Sequence, residues 1–296
     1  MRRLCIMILG CWLCMVPATS AQQYYVALGD SLAAGQTPNR MIDAGYADFI
    51  AQRLASQRQL THFTKQLAFS GFTTAQVLER VQEPLAQPDL QKATLITISA
   101  GANDLLGLVS TDAATGEVRF DQLAADFALN EVRKNMQLIL DELATRAPQA
   151  TIYVMGYYFP YPYVHDVQKE GLMRQQDILN AILQQVAAAN DAIFVDVATS
   201  FNKQAVTYLP NAADVHPNFE GYRVMANAFL RAYGAPELRS EELPQPNPLT
   251  FEEVLTQLTE RVEQQSEPIA QQQATVERYA MPHGYYALQR LYAVAR

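Results

Sequence analysis

Residues 24–35 read Tyr24-Tyr25-Val26-Ala27-Leu28-Gly29-Asp30-Ser31-Leu32-Ala33-Ala34-Gly35, an apolar run that stops at a glycine-flanked turn carrying Asp30 and Ser31. A short apolar segment ending in turn residues predicts a buried strand. Four more segments of that character lie at 63–69, 93–99, 151–156 and 193–197. Helical patterns stand between them. Val132, Met136, Ile139, Leu140 and Leu143 recur at three- and four-residue spacing, as do Leu172, Leu179, Ile182, Leu183 and Val186. A last helix is expected from near Pro217 through Tyr222, Met225, Ala226 and Phe229 to a stop at Gly234. Alternation of strand and helix predicts an α/β fold, with a five-stranded parallel sheet between two helical layers over residues 22–234. Ser31, Gly71 and Asn103 each follow an expected strand, which gathers them at the carboxyl edge of that sheet.

The ends of the chain differ from this core. Arg2 and Arg3 precede an apolar stretch at 4–16, then Pro17 and the small residues Ala18-Thr19-Ser20-Ala21. That is the pattern of a secretory signal peptide over 1–21, and the apolar part is too short to span a membrane. Cys5, Cys11 and Cys14 all lie inside it, so the expected mature chain has no disulfide, thiolate metal site or cysteine nucleophile. Without Arg2 and Arg3 the 22 basic residues fall to 20 against 30 acidic, a net charge of −10. That balance argues against nucleic acid or anionic membrane as the main partner. Beyond Gly234, Pro236, Pro244, Pro246 and Pro248 suggest a linker, and Thr250 with Glu253 resembles a capping box opening a helix to about residue 265. Residues 235–296 are therefore expected to be a Pro-rich linker and helical extension, with a second helix after Pro268.

Four motifs supply different parts of one reaction centre: Gly29-Asp30-Ser31-Leu32, Ser70-Gly71, Gly101-Ala102-Asn103-Asp104 and Asp214-Val215-His216-Pro217. A serine after a strand, a backbone donor, a side-chain amide and a late histidine are what acyl transfer needs. In this order they resemble the GDSL, or SGNH, hydrolase family, and the resemblance covers residues 24–232. It implies the flavodoxin-like SGNH fold and a serine hydrolase that uses neither metal nor cofactor. It assigns Ser31 as nucleophile, His216 as the base that moves its proton, and Ser31 N–H, Gly71 N–H and the Asn103 amide as the oxyanion hole. No Gly-x-Ser-x-Gly occurs, so the nucleophile elbow of α/β-hydrolases is not the template.

The acid departs from the family pattern. The usual motif is Asp-x-x-His, yet Ala213 occupies that place and Asp214 stands two residues before His216. Three roles stay open: Asp214 orients His216 through a different local turn, a main-chain carbonyl near Ala213 does so, or Asp214 serves the following helix N-terminus. Asp30 and Asp104 are expected to hold their loops. The run Tyr157-Tyr158-Phe159-Pro160-Tyr161-Pro162-Tyr163 is expected either to line an acyl pocket, to cover the site as a lid, or to pack as a rigid loop.

The function this implies is a secreted esterase or lipase acting on carboxylic esters or lysophospholipids through an acyl-enzyme, with a small-molecule ester or lipid as partner. A carbohydrate O-acetyl esterase would use the same residues, and a non-catalytic binding module is the third class. Neither composition nor motif defines an oligomeric state.

Overall fold

The computed structural model describes residues 22–111 and 117–246. From the N-terminus run β1 (Gln23–Gly29), α1 (Ser31–Ala34), α2 (Tyr46–Ser56), β2 (Leu60–Ala68), α3 (Thr74–Gln82), α4 (Gln87–Leu90) and β3 (Leu95–Ser99). Next come α5 (Ala102–Leu106), β4 (Ser110–Thr111), β5 (Val118–Arg119), α6 (Gln122–Arg146), β6 (Thr151–Met155) and α7 (Asp166–Ala189). The last are β7 (Ile193–Val195), α8 (Ala198–Phe201), α9 (Ala205–Tyr208) and α10 (Phe219–Tyr233).

Five strands pair in parallel in the order β2-β1-β3-β6-β7. The central strands are apolar on both faces because both are covered: every residue of β3 is buried, as are the last five of β1. The order also explains the layers. From β1 the chain moves outward to β2, then turns back past β1 to β3 and continues to β6 and β7. Right-handed crossovers then put α2 on one face and α3, α6 and α7 on the other. The packing agrees: α3 lies against α6 and α6 against α7, while α10 joins α2. The reversal leaves a crevice beyond the carboxyl ends of β1 and β3, where open α/β sheets bind ligands.

The sequence-based strand positions match these five strands to within a few residues. The final helix begins at Phe219, with the Asn218 side chain accepting from Gly221 N–H at 2.9 Å, and ends at Gly234. The small hairpin β4–β5 has no sequence signal, being two residues against two. It is fastened to α7 by Gln168, whose side chain bonds both main-chain groups of Val118.

Residues 235–243, expected to open a linker, run against the domain. Asn227 bonds both main-chain groups of Leu238, whose side chain is buried, and Arg53 pairs with Glu242 at 3.0 Å. The expected signal peptide at 1–21 and the expected helices beyond Thr250 lie outside the described residues.

Candidate active site

Ser31 sits where β1 turns into α1. Gly29, at φ 129°, pairs with Ser99 of β3, and a Cβ there would lie 2.0 Å from the Ser99 carbonyl oxygen. Only glycine lets the two strand ends come this close. Asp30 then caps α1, its carboxylate accepting from Leu32 N–H at 3.0 Å. Ser31 follows at the first helical position and is 7 % exposed at the floor of a cleft.

His216 reaches this serine from the loop before α10. Its Nε2 lies 2.8 Å from Ser31 Oγ. Asp214 Oδ1 lies 2.5 Å from His216 Nδ1 and also accepts from the His216 main-chain N–H at 2.8 Å. The displaced acid therefore does reach the imidazole. A carboxylate only two residues away folds back over the intervening Val215, in the manner of an Asx turn, and meets both nitrogens of the next-but-one residue. Because a carboxylate can only accept, this contact places the proton on Nδ1 and leaves Nε2 to accept from the serine hydroxyl. The loop is held from outside. Tyr158 donates its hydroxyl to the Val215 carbonyl at 2.6 Å, and Asn211 spans Asp214 and Pro38 through its carbonyl and amide. The other two sequence-level roles for the acid, a carbonyl near Ala213 or a helix-terminal charge, have no contact of this kind.

Asn103 and Gly71 complete the opposite side. Asn103 Nδ2 donates to the Phe72 carbonyl at 2.9 Å, which ties α5 to the loop after β2 and leaves the second amide hydrogen uncommitted. Gly71 has φ 80° and open space where a Cβ would stand, so conformation rather than crowding requires glycine there. Its N–H has no hydrogen-bond partner among the described residues. Gly71 is exposed beside Phe72, the residue Asn103 binds, while Ser31, Asn103 and His216 line the cleft. Asp104 holds the same loop pair, accepting from Thr74 N–H at 2.9 Å and Thr74 Oγ1 at 2.7 Å.

Asp30 is 1 % exposed and touches three structures at once. Besides Leu32 N–H it accepts from Ser99 Oγ at 2.7 Å and from the Tyr157 hydroxyl at 2.5 Å. Burial raises its pKa above the ordinary carboxylate range, although all three donors and the nearby His216 favour the charged form. Burial and the adjacent Asp30 in turn push the Tyr157 hydroxyl well up.

The cleft extends from Ser31 as about 820 Å³ of open space that includes its mouth. Leu105 and Leu106 of α5, Phe120 after β5, and Leu172 and Leu179 of α7 contribute to its apolar wall. The aromatic run lines it too, through Tyr157, Tyr158, Pro160 and Tyr161. That run is pinned: Tyr158 stacks on Phe201 at 3.9 Å, Phe159 N–H donates to Asn202, and Tyr163 donates to the Leu209 carbonyl. It forms a fixed wall. Among the described residues no group of three or more His, Cys, Asp or Glu is placed to hold a metal ion.

The model of the GDSL-like Lipase/Acylhydrolase family matches residues 27–224. The spore germination lipase LipC of Bacillus licheniformis is 25% identical over 218 residues, 71% of this chain and 95% of that protein. An acetylxylan esterase of Geobacillus stearothermophilus is 31% identical over 81 residues, 26% of this chain and 37% of the esterase. In fold, the chain resembles the lipase Lip_vut3 from a goat rumen metagenome, with TM-score 0.58 and 23% identity over 73% of this chain and 99% of that one. It also resembles the acetylxylan esterase Axe2 of Geobacillus stearothermophilus, with TM-score 0.54 and 20% identity over 75% and 98%.

Proposed function

Because this chain belongs to the GDSL-like Lipase/Acylhydrolase family and is a carboxylic ester hydrolase, we propose that it works as a serine esterase on acyl chains longer than acetyl. In this reading His216 Nε2 takes the proton of Ser31 Oγ as the oxygen attacks the ester carbonyl. The negative charge that forms on the carbonyl oxygen is met by Ser31 N–H, Gly71 N–H and the free hydrogen of Asn103 Nδ2. His216 then gives the proton to the departing alcohol, and water releases the acyl group by the same steps in reverse. Asp214 keeps the ring in the required tautomer and offsets the charge of the imidazolium.

The observation that carries this reading is the unbroken line from Asp214 through His216 to Ser31, at 2.5 Å and 2.8 Å, opening on an apolar cleft. The cleft supports the substrate choice. An acetyl group would leave most of the leucine-lined wall without contact, whereas a longer chain buries surface against it, at about 0.8 kcal/mol per methylene. The carbohydrate O-acetyl esterase reading would use the same residues; it draws on the short sequence match to acetylxylan esterase and on a likeness of fold to Axe2 at 20% identity. We place the reaction outside the cytoplasm, after removal of residues 1–21; the basic, apolar and small-residue succession there supports this.

The test is a series of p-nitrophenyl esters of increasing acyl length on the mature protein. The expected kcat/KM rises from acetyl to a medium or long chain. A maximum at acetyl, with activity on acetylated xylan, would overturn the acyl assignment.

A further inference from the structure

The wall that α7 presents to the cleft is not apolar throughout. Leu172, Gln175, Gln176 and Leu179 follow the spacing of one helix face, and all four line the cleft. The two glutamines between the leucines are 9 % and 5 % exposed. A wall serving hydrocarbon alone would carry leucine there too, since burying an amide without full partnership is unfavourable.

Each amide is half satisfied, and its orientation is determined by its neighbours. Gln176 Nε2 donates to the Tyr157 carbonyl at 2.9 Å, a place only the nitrogen can fill. Gln175 is oriented one step further out. Gln122 Nε2 donates to the Asp126 carboxylate at 2.7 Å, which turns Gln122 Oε1 toward Gln175 Nε2 at 3.3 Å. Both glutamine oxygens are thereby left as the second ends. Both are buried, and neither has a hydrogen-bond partner among the described residues. Two neighbouring acceptors buried within this wall lack a donor among the described residues.

We propose that α7 forms a subsite for acyl groups carrying a hydroxyl along the chain, with Gln175 and Gln176 as the acceptors. This rests on the reading that Ser31 takes the acyl group into this cleft. A hydroxyl supplies the missing donor at little cost in volume and leaves the rest of the chain to the leucines. An anionic acyl chain would meet acceptors and no lysine or arginine among the lining residues. A cationic one would meet a single carboxylate, Asp30, already engaged by three donors.

The experiment compares p-nitrophenyl esters of one twelve-carbon acyl chain, unsubstituted and hydroxylated at single positions along its outer half. In the native enzyme at least one hydroxylated ester should exceed the unsubstituted one by about tenfold in kcat/KM. Gln175→Leu and Gln176→Leu should each bring that ratio close to one and raise kcat/KM on the unsubstituted ester. Gln176 also holds the Tyr157 carbonyl, which keeps Asn180 Nδ2 at 2.8 Å as a second donor. The native series and Gln175→Leu decide the matter even if Gln176→Leu folds poorly. No hydroxyl preference at any position, or a preference that survives both substitutions, would overturn the subsite. So would a selective loss of activity on acetylated xylo-oligosaccharides, which would move the acceptors to the alcohol side. An enzyme that hydrolyses none of these esters fails first on Ser31, and the subsite falls with it.

Discussion

Two carboxylates flank Ser31, and their surroundings divide the work between them. Asp214 lies in the loop before α10 and spends one oxygen on the main-chain N–H and the Nδ1 of His216. Asp30 lies in the strand-to-helix turn and spends its oxygens on Leu32 N–H, Ser99 and Tyr157, with no contact to the imidazole. In the proposed mechanism Asp214 acts on the charge that comes and goes on the imidazole. Asp30 instead joins β1, β3 and the aromatic wall at the residue before Ser31. What a carboxylate does near a reaction centre follows from which donors it accepts, and proximity alone does not decide it.

The largest effect should come from Asp214→Asn. An amide can present its nitrogen to Nδ1 and favour the wrong tautomer, and it carries no charge to offset the imidazolium. Turnover should fall by about 10⁴-fold, as for the triad acid of serine proteases, with little change in melting temperature. A few-fold loss accompanied by a lower melting temperature would make Asp214 a structural residue and erase the contrast with Asp30.

Asp30→Asn should act in the other sense. Loss of a turnover-positioning contact is expected to cost roughly ten- to hundredfold in kcat, through displacement of Ser31. Stability should move oppositely. A carboxyl whose folded pKa is raised above its unfolded value, near 3.8, binds more protons folded than unfolded, so it loses stability as pH rises through that window. The melting temperature of the variant relative to the native protein should therefore increase as pH rises from about 3.8 and level off once the folded carboxyl ionises. Melting curves across that range check it; a difference that shrinks with pH would contradict the buried-charge account.

The smallest effect belongs to Tyr157→Phe, which removes one of three donors to Asp30 and keeps the aromatic wall. A few-fold loss in kcat is expected, together with a further rise in the Asp30 pKa, visible as a wider pH window in the same melting comparison. A loss as large as that of Asp214→Asn would show that Tyr157 contacts the reacting groups.

The strands and the site motifs were legible because each is local. An apolar run ending at Gly29, or an Asn103 following 93–99, carries its own signal. What was not legible depends on conformation beyond a few residues. The reach of Asp214 turns on how the 213–216 loop folds back, and a one-residue displacement in sequence hides that. The hairpin β4–β5 is too short for periodicity to mark, yet it brings Phe120 to the cleft. Gln175 and Gln176 were not singled out, because polarity alone does not mark a buried position, although their three- and four-residue spacing from Leu172 and Leu179 puts them on the buried stripe. Tyr157 stood out as part of an aromatic run, but its bond to Asp30 spans 127 residues and comes only with the fold.

In the proposed reaction Ser31 is the group that bonds to the acyl carbon. Treatment of the native protein with an ester-like p-nitrophenyl organophosphonate, followed by intact mass and peptide mapping, tests this in one step. The expected result is a single phosphonyl adduct on the peptide bearing Ser31, accompanied by complete loss of esterase activity, and no adduct on Ser31→Ala. An adduct on another residue, or esterase activity that survives full labelling of Ser31, would contradict it.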